Sequence, residues 1–218
     1  MIAVVHPLLL ALALSAGAAA ANPYLPASGQ QVLERLPGRS DPAQRELARL
    51  RAERDAHPQD IAHATSLARR YIEQARRDGD PRYLGYAQAA LKPWWEGPRD
   101  NIPAEVLVLR ATLAQSTHAF GAALADLDEV VRRDSGNAQA WLTRATIQLV
   151  TGDYAGARSS CARLFGRAGD LVLQTCMASV GSVSGRARAS YDALRQSLAA
   201  HGASPAPLRA WSATLLAE

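Results

Sequence analysis

Residues 104 to 171 carry one pattern twice. Leu107, Arg110-Ala111-Thr112, Thr117, Phe120 and Ala123 recur as Trp141, Arg144-Ala145-Thr146, Thr151, Tyr154 and Ala157, each 34 residues later. A fixed period of that length means that a short supersecondary unit is stacked on a copy of itself, because so small a unit cannot bury its apolar face alone. Composition says what the unit is made of. The helix formers Ala, Leu and Arg dominate, Phe occurs twice, and no run of Val, Ile and Thr alternates as a strand demands. The fold class expected is all-α, a solenoid of antiparallel helix pairs.

The rest of the chain is divided on the same principle. Residues 22–40, with Pro23, Pro26 and Pro37, read as a flexible lead-in with a short helix at Gln30–Leu36. Asp41-Pro42 supplies the cap and first-turn residue of a helix that runs to Ala56, read as a solvated capping helix. Ile61, Ala64, Leu67, Ala68, Tyr71 and Ile72 form the apolar stripe of a second helix. Gly79-Asp80-Pro81 ends it, and a partner helix follows from about Arg82 to Leu91. Helical hairpins are expected at about 61–95, 104–137, 138–170 and 171–200, with a terminal helix over 207–218; the array as a whole covers 41–218. That last segment, with Leu208, Trp211, Leu215 and Leu216, starts like the first helix of a further unit, so the natural polypeptide is expected to continue.

The first 21 residues contain no charged side chain. A leucine-rich core at Leu8–Leu14 is followed by Ala18-Ala19-Ala20-Ala21 and Asn22-Pro23, as in a secretory signal peptide cleaved near Ala20 or Ala21. No Lys or Arg precedes the core, which leaves an uncleaved anchor as the alternative. The core is shorter than the ~20 apolar residues of a spanning helix, which favours cleavage. The mature chain is expected to be periplasmic or secreted from a bacterium, with no transmembrane segment after signal removal.

The second unit places a large residue at Trp141, a small one at Ala145, Gly152-Asp153-Tyr154 at the turn and Ala157 beyond it. This resembles the tetratricopeptide repeat. Gly79 to Ala87 is similar to the first hairpin of secreted bacterial members of that family. The chain departs from the pattern at Ala114 and Gln148, where Tyr is usual, and at Ser135, where Pro is usual. The resemblance implies a right-handed superhelix in which Ala111, Ala123, Ala145 and Ala157 let helix axes approach to ~8–10 Å. Trp141, Tyr154, Leu107 and Phe120 would fill the spaces beside them. It also implies that the first helix of each pair lines a concave groove. The groove residues are then Glu105, Val108, Thr112, Gln115, Gln139, Leu142, Thr146, Leu149, Val150, Thr175 and Ser179, with Leu142, Leu149 and Val150 as an apolar centre. Val108, Thr112 and Thr143 stand where carboxylate-holding members would need Lys and Asn, so that mode is not expected.

Cys161 and Cys176 are the only cysteines, and the leader points to an oxidising compartment. In the family their helices pack side by side, so the Cα atoms would fall within the ~4.4–6.8 Å a disulfide tolerates. Two buried thiols are the other reading.

Nothing in the sequence points to catalysis, and the protein is not expected to be an enzyme. No Gly-x-Ser-x-Gly, phosphate loop or His-Glu-x-x-His is present. Asp126, Asp128 and Glu129 read as a solvated helix face, and His118 as a solvated turn residue. The five histidines form no ligand spacing, so no metal is expected and no cofactor is implied. Trp94-Trp95 reads either as packing under a loop or as an aromatic platform, with packing preferred. The net charge of +4 comes with one lysine and no basic cluster interleaved with aromatics, so nucleic acid is not an expected partner. The functional expectation is a non-catalytic scaffold of the bacterial cell envelope that binds a protein or peptide. The alternative is a binding module for an anionic envelope component, such as peptidoglycan or lipid headgroups. The arginines mostly fall outside the expected groove, which favours the scaffold. The sequence leaves the oligomeric state open.

Overall fold

The computed structural model describes residues 24–33 and 41–217, which belong to two separate units, Met1–Gly38 and Arg39–Glu218. The expected leader and its cleavage site lie outside the described residues. In the first unit, residues 24–33 make a turn in which the Gln31 amide donates to Ser28 O at 3.1 Å and the Gln31 side chain accepts from Ala27 N at 2.7 Å. The helix expected from Gln30 is not formed over 30–33, and residues 34–36 lie outside the description. The reason is lack of packing. Tyr24, Leu25, Val32 and Leu33 are all exposed, and a helix this short has too few internal hydrogen bonds to persist without a buried face.

The second unit holds ten α-helices and no strand among the described residues: α1 (Pro42–Ala56), α2 (Ile61–Asp78), α3 (Arg82–Ala90), α4 (Ala104–Ser116), α5 (Phe120–Arg133), α6 (Ala138–Val150), α7 (Tyr154–Ala162), α8 (Asp170–Val183), α9 (Ala187–Ala200) and α10 (Ala206–Ala217). Local chemistry sets the helix starts. Asp41, Asp60, Asn137 and Asp153 each accept a backbone N–H of the first turn through the side chain. Four helices then turn back through a left-handed residue: Gly79 after α2, His118 after α4, Gly152 after α6 and Gly185 after α8. Only His118 among them carries a Cβ, and the other three use the freedom of glycine.

Hairpins α2/α3, α4/α5, α6/α7 and α8/α9 follow one another, and the first helices α2, α4, α6 and α8 also touch in series. The contacts between paired helices run along a seam of alanine. Ala64, Ala68, Ala87, Ala111, Ala123, Ala145 and Ala157 are all buried, as close approach of helix axes requires. Leu107 is fully buried, while Phe120 and Trp141 are half-buried against the core. Tyr154 does not fill its expected space; it is 42% exposed at the start of α7. The solvated capping helix α1 buries Ala43, Leu47 and Leu50 and leaves its Arg49–Glu46 and Arg49–Glu53 pairs in solvent. Trp94 and Trp95 pack half-buried against the first core cluster. At the other end α10 closes a small core of Leu171, Ala178 and Leu194 with Leu208, Leu215 and Leu216. Among the described residues no helix is long and apolar enough to cross a membrane.

Candidate functional site

The first helices of three successive hairpins meet around a depression of about 470 Å³. From α4 come Glu105, Val108, Thr112 and Gln115, one stripe at i, i+3, i+7 and i+10. Gln139 and Thr143 come from α6, and Arg69, Glu73 and Arg76 from α2. The rim is polar and of mixed charge, with the guanidinium groups of Arg69 and Arg76 set among Glu73, Glu105 and Asp134. Several groups are held by local bonds. Thr112 donates to Val108 O at 2.9 Å, Thr143 donates to Gln139 O at 2.9 Å, and Gln139 Nε2 donates to Thr143 Oγ1 at 3.2 Å. Arg70, beside the depression, takes Glu73 at 3.0 Å.

Five of the sequence-predicted groove residues thus come together: Glu105, Val108, Thr112, Gln115 and Gln139. The others do not join the depression. Leu142 and Leu149 are half-buried against the second core cluster, and Thr146 donates to Leu142 O at 3.0 Å. Of the expected apolar centre only Val150 is exposed, at the end of α6. Ser179 donates to Thr175 O at 2.9 Å. Thr175 requires a correction. It is fully buried, and its hydroxyl lies 2.8 Å from that of Ser212 on α10. It occupies the seam between successive first helices, and α10 covers it.

The contribution of α2 goes beyond the sequence expectation. Its signal is nonetheless present: Arg69, Glu73 and Arg76 recur at i, i+4 and i+7, off the stripe of Ala64, Leu67, Ala68 and Tyr71 that α2 buries.

Asp126, expected on a solvated face, is only 3% exposed. Its Oδ1 accepts from Arg99 Nε and Arg110 Nη2, both at 2.7 Å, and its Oδ2 from Arg110 Nε at 2.6 Å. Arg110 Nη1 also donates to Trp95 O at 2.7 Å. Asp128 does stay exposed and meets Arg144 Nε at 2.8 Å. Glu129 is taken by hydrogen bonds from Arg132 and then Arg133, which hold its carboxyl down at about 2. The backbone amides of Ala62 and then His63 lower Asp60 in the same sense.

Cys161 on α7 and Cys176 on α8 form a disulfide, with Cα atoms 5.7 Å apart inside the second core cluster. The histidines include one close pair, His57 and His63, stacked with ring centroids 5.1 Å apart. Among the described residues no group of three or more His, Cys, Asp or Glu stands where it could hold a metal.

No family model matches the chain, and no curated protein matches it. Among solved structures it is similar to the crystal structure of a thermophilic TPR protein from Thermus thermophilus, with a TM-score of 0.56 and 17% sequence identity over 81% of this chain and 91% of that one. At that identity the likeness speaks for the fold. Repeat period, helix-pair order and this likeness together make the helical array of this chain a tetratricopeptide-type α-solenoid.

Proposed function

We propose that this chain is a non-catalytic protein–protein interaction scaffold of the bacterial cell envelope, and that it binds a peptide or protein partner along the first-helix groove. The observation that carries the reading is the depression shared by α2, α4 and α6, where side chains from three repeats converge on one surface. Its mixed lining suits an extended polypeptide. Gln115, Gln139 and Thr112 offer backbone-matching donors and acceptors, and Arg69, Glu73, Arg76 and Glu105 offer charges of both signs. An anionic polymer or lipid headgroup would meet the carboxylates of Glu73, Glu105 and Asp134 in the same place. The envelope location rests on the leader sequence.

The test is capture from an envelope extract with the mature protein and with a Glu105→Arg/Thr112→Arg variant, each washed at low and high salt. A protein retained by the mature chain at high salt and lost by the variant supports the reading. Capture indifferent to the variant, or only of salt-labile polyanions, contradicts it.

A further inference from the structure

The opposite face of α4 borders a different cavity, of about 680 Å³, larger than the groove depression. Its walls are apolar, with Leu84 of α3, Trp95, Leu113 of α4 and Ala122 of α5. Its floor is the Arg99–Asp126–Arg110 cluster. The volume lies within the ~300–1,000 Å³ range of small-molecule sites, and the design is the usual one of apolar walls with few polar groups.

The space exists because of one irregular connection. Between α3 and α4 the chain runs through residues 91–103, with short 3-10 turns at Lys92–Trp94 and Arg99–Asn101, whereas α5 and α6 are joined by residues 134–137 alone. The long connection brings in Trp95 and Arg99. No equivalent floor exists in the next repeat, where Ser160 stands 34 residues after Asp126.

The floor carries a surplus positive charge. Asp126 offers one negative charge to two arginines. Each nitrogen of Arg110 is engaged: its Nε and Nη2 go to Asp126 and its Nη1 to Trp95 O. Arg99 gives only Nε to Asp126, and its two terminal nitrogens have no hydrogen-bond partner among the described residues. Its side chain is 49% exposed and lines the cavity. A guanidinium with free terminal N–H groups at the end of an apolar chamber is matched by a planar anion on an apolar body.

We propose that this cavity is a binding site for a small amphipathic carboxylate, its apolar body against Leu84, Trp95 and Leu113 and its carboxylate on Arg99. The site is independent of the polypeptide groove. The probe is 4-phenylbutyrate, with its uncharged amide as control, titrated into the full ¹⁵N-labelled chain while the Trp95 indole N–H is followed. Two variants test the two halves of the site. Arg99→Gln removes the free cation and leaves the Arg110–Asp126 pair in place. Gly85→Leu fills the chamber, since a Cβ built at Gly85 meets nothing within 4 Å and the residue is helical. The expected result is a saturable shift in the millimolar range. It is about tenfold weaker in Arg99→Gln and for the amide, and lost in Gly85→Leu. No saturable shift up to the solubility of the probe, equal binding of the amide, or binding that survives both variants overturns the proposal.

Discussion

Hairpins α4/α5 and α6/α7 repeat the same residues at a 34-residue interval, yet each holds its second helix by different means. In the first, Arg110 crosses to Asp126, and the buried carboxylate also takes Arg99 from the preceding connection. In the second, the corresponding residues are Arg144 and Ser160. Ser160 donates to Gln148 Oε1 at 2.6 Å and accepts from Arg144 Nη1 at 2.9 Å, while Arg144 Nε turns out to Asp128. The next position differs as well: fully buried Leu127 in one repeat, disulfide-bonded Cys161 in the other. A buried charge is tolerated at 126 because the long 91–103 connection supplies a second arginine and the Trp95 carbonyl. The short connection before α6 supplies neither, and the neutral hydroxyl of Ser160 takes the place of the buried carboxylate. The same backbone template thus accepts whichever polar device its connections can satisfy.

The largest expected effect separates the two devices. Asp126→Ala strands Arg110, whose side chain is mostly buried, and should cost about 3–5 kcal/mol in urea unfolding. Ser160→Ala removes a neutral partner and should cost about 1–2 kcal/mol. Equal costs would erase the distinction. The covalent device comes next. The bridge closes a loop of 15 residues, so replacing Cys161 and Cys176 together by Ala should lose up to about 3 kcal/mol. A loss near zero would mean that the seam holds as well by packing alone, as it does at Leu127.

A pH effect should also separate the two hairpins at one position, because Arg163 stands in α6/α7 where Glu129 stands in α4/α5. Glu129 is held at about 2 against an ordinary 4.5. A lowered carboxylate contributes stability that is present above the unfolded value and is lost as pH falls from about 4.5 towards 2. Glu129→Gln should therefore flatten the acid limb of stability in that window. A parallel limb in the variant would contradict the assignment. The smallest effect concerns the turns. His118 has φ 59° where the next repeat has Gly152 with φ 84°. His118→Gly should gain at most about 1 kcal/mol, because the left-handed backbone is a steric cost that glycine escapes, and Gly152→Ala should lose a similar amount. Thermal unfolding of the pair reads both.

These contrasts also show which parts of the molecule the sequence makes readable. The 34-residue period locates the hairpins, and the alanine positions locate their seam, because small residues recur wherever helices touch. The left-handed turns are legible at Gly79, Gly152 and Gly185, and at His118 by alignment with Gly152. Asp126 is hard to read because its acidic neighbours suggest solvent. Its place between Ala123 and Leu127, on the buried stripe of α5, is the better guide. Thr175 misleads for a different reason. It lies 33 residues after Leu142, at a seam position whose exposure depends on whether another first helix follows, and α10 does. The groove is half legible: the α4 stripe stands out, but α2 does not, because its hairpin departs most from the repeat pattern.

The proposed groove, in which first helices from successive repeats form one polypeptide-binding surface, is probed by photo-crosslinking in cells that make the protein. A photoreactive side chain is placed at Gln115, at Gln139 or at Gln196, the last exposed on α9 away from the depression. One protein adduct of the same mass is expected from Gln115 and Gln139, and none from Gln196. An adduct from Gln196 with none from the two groove positions would contradict it.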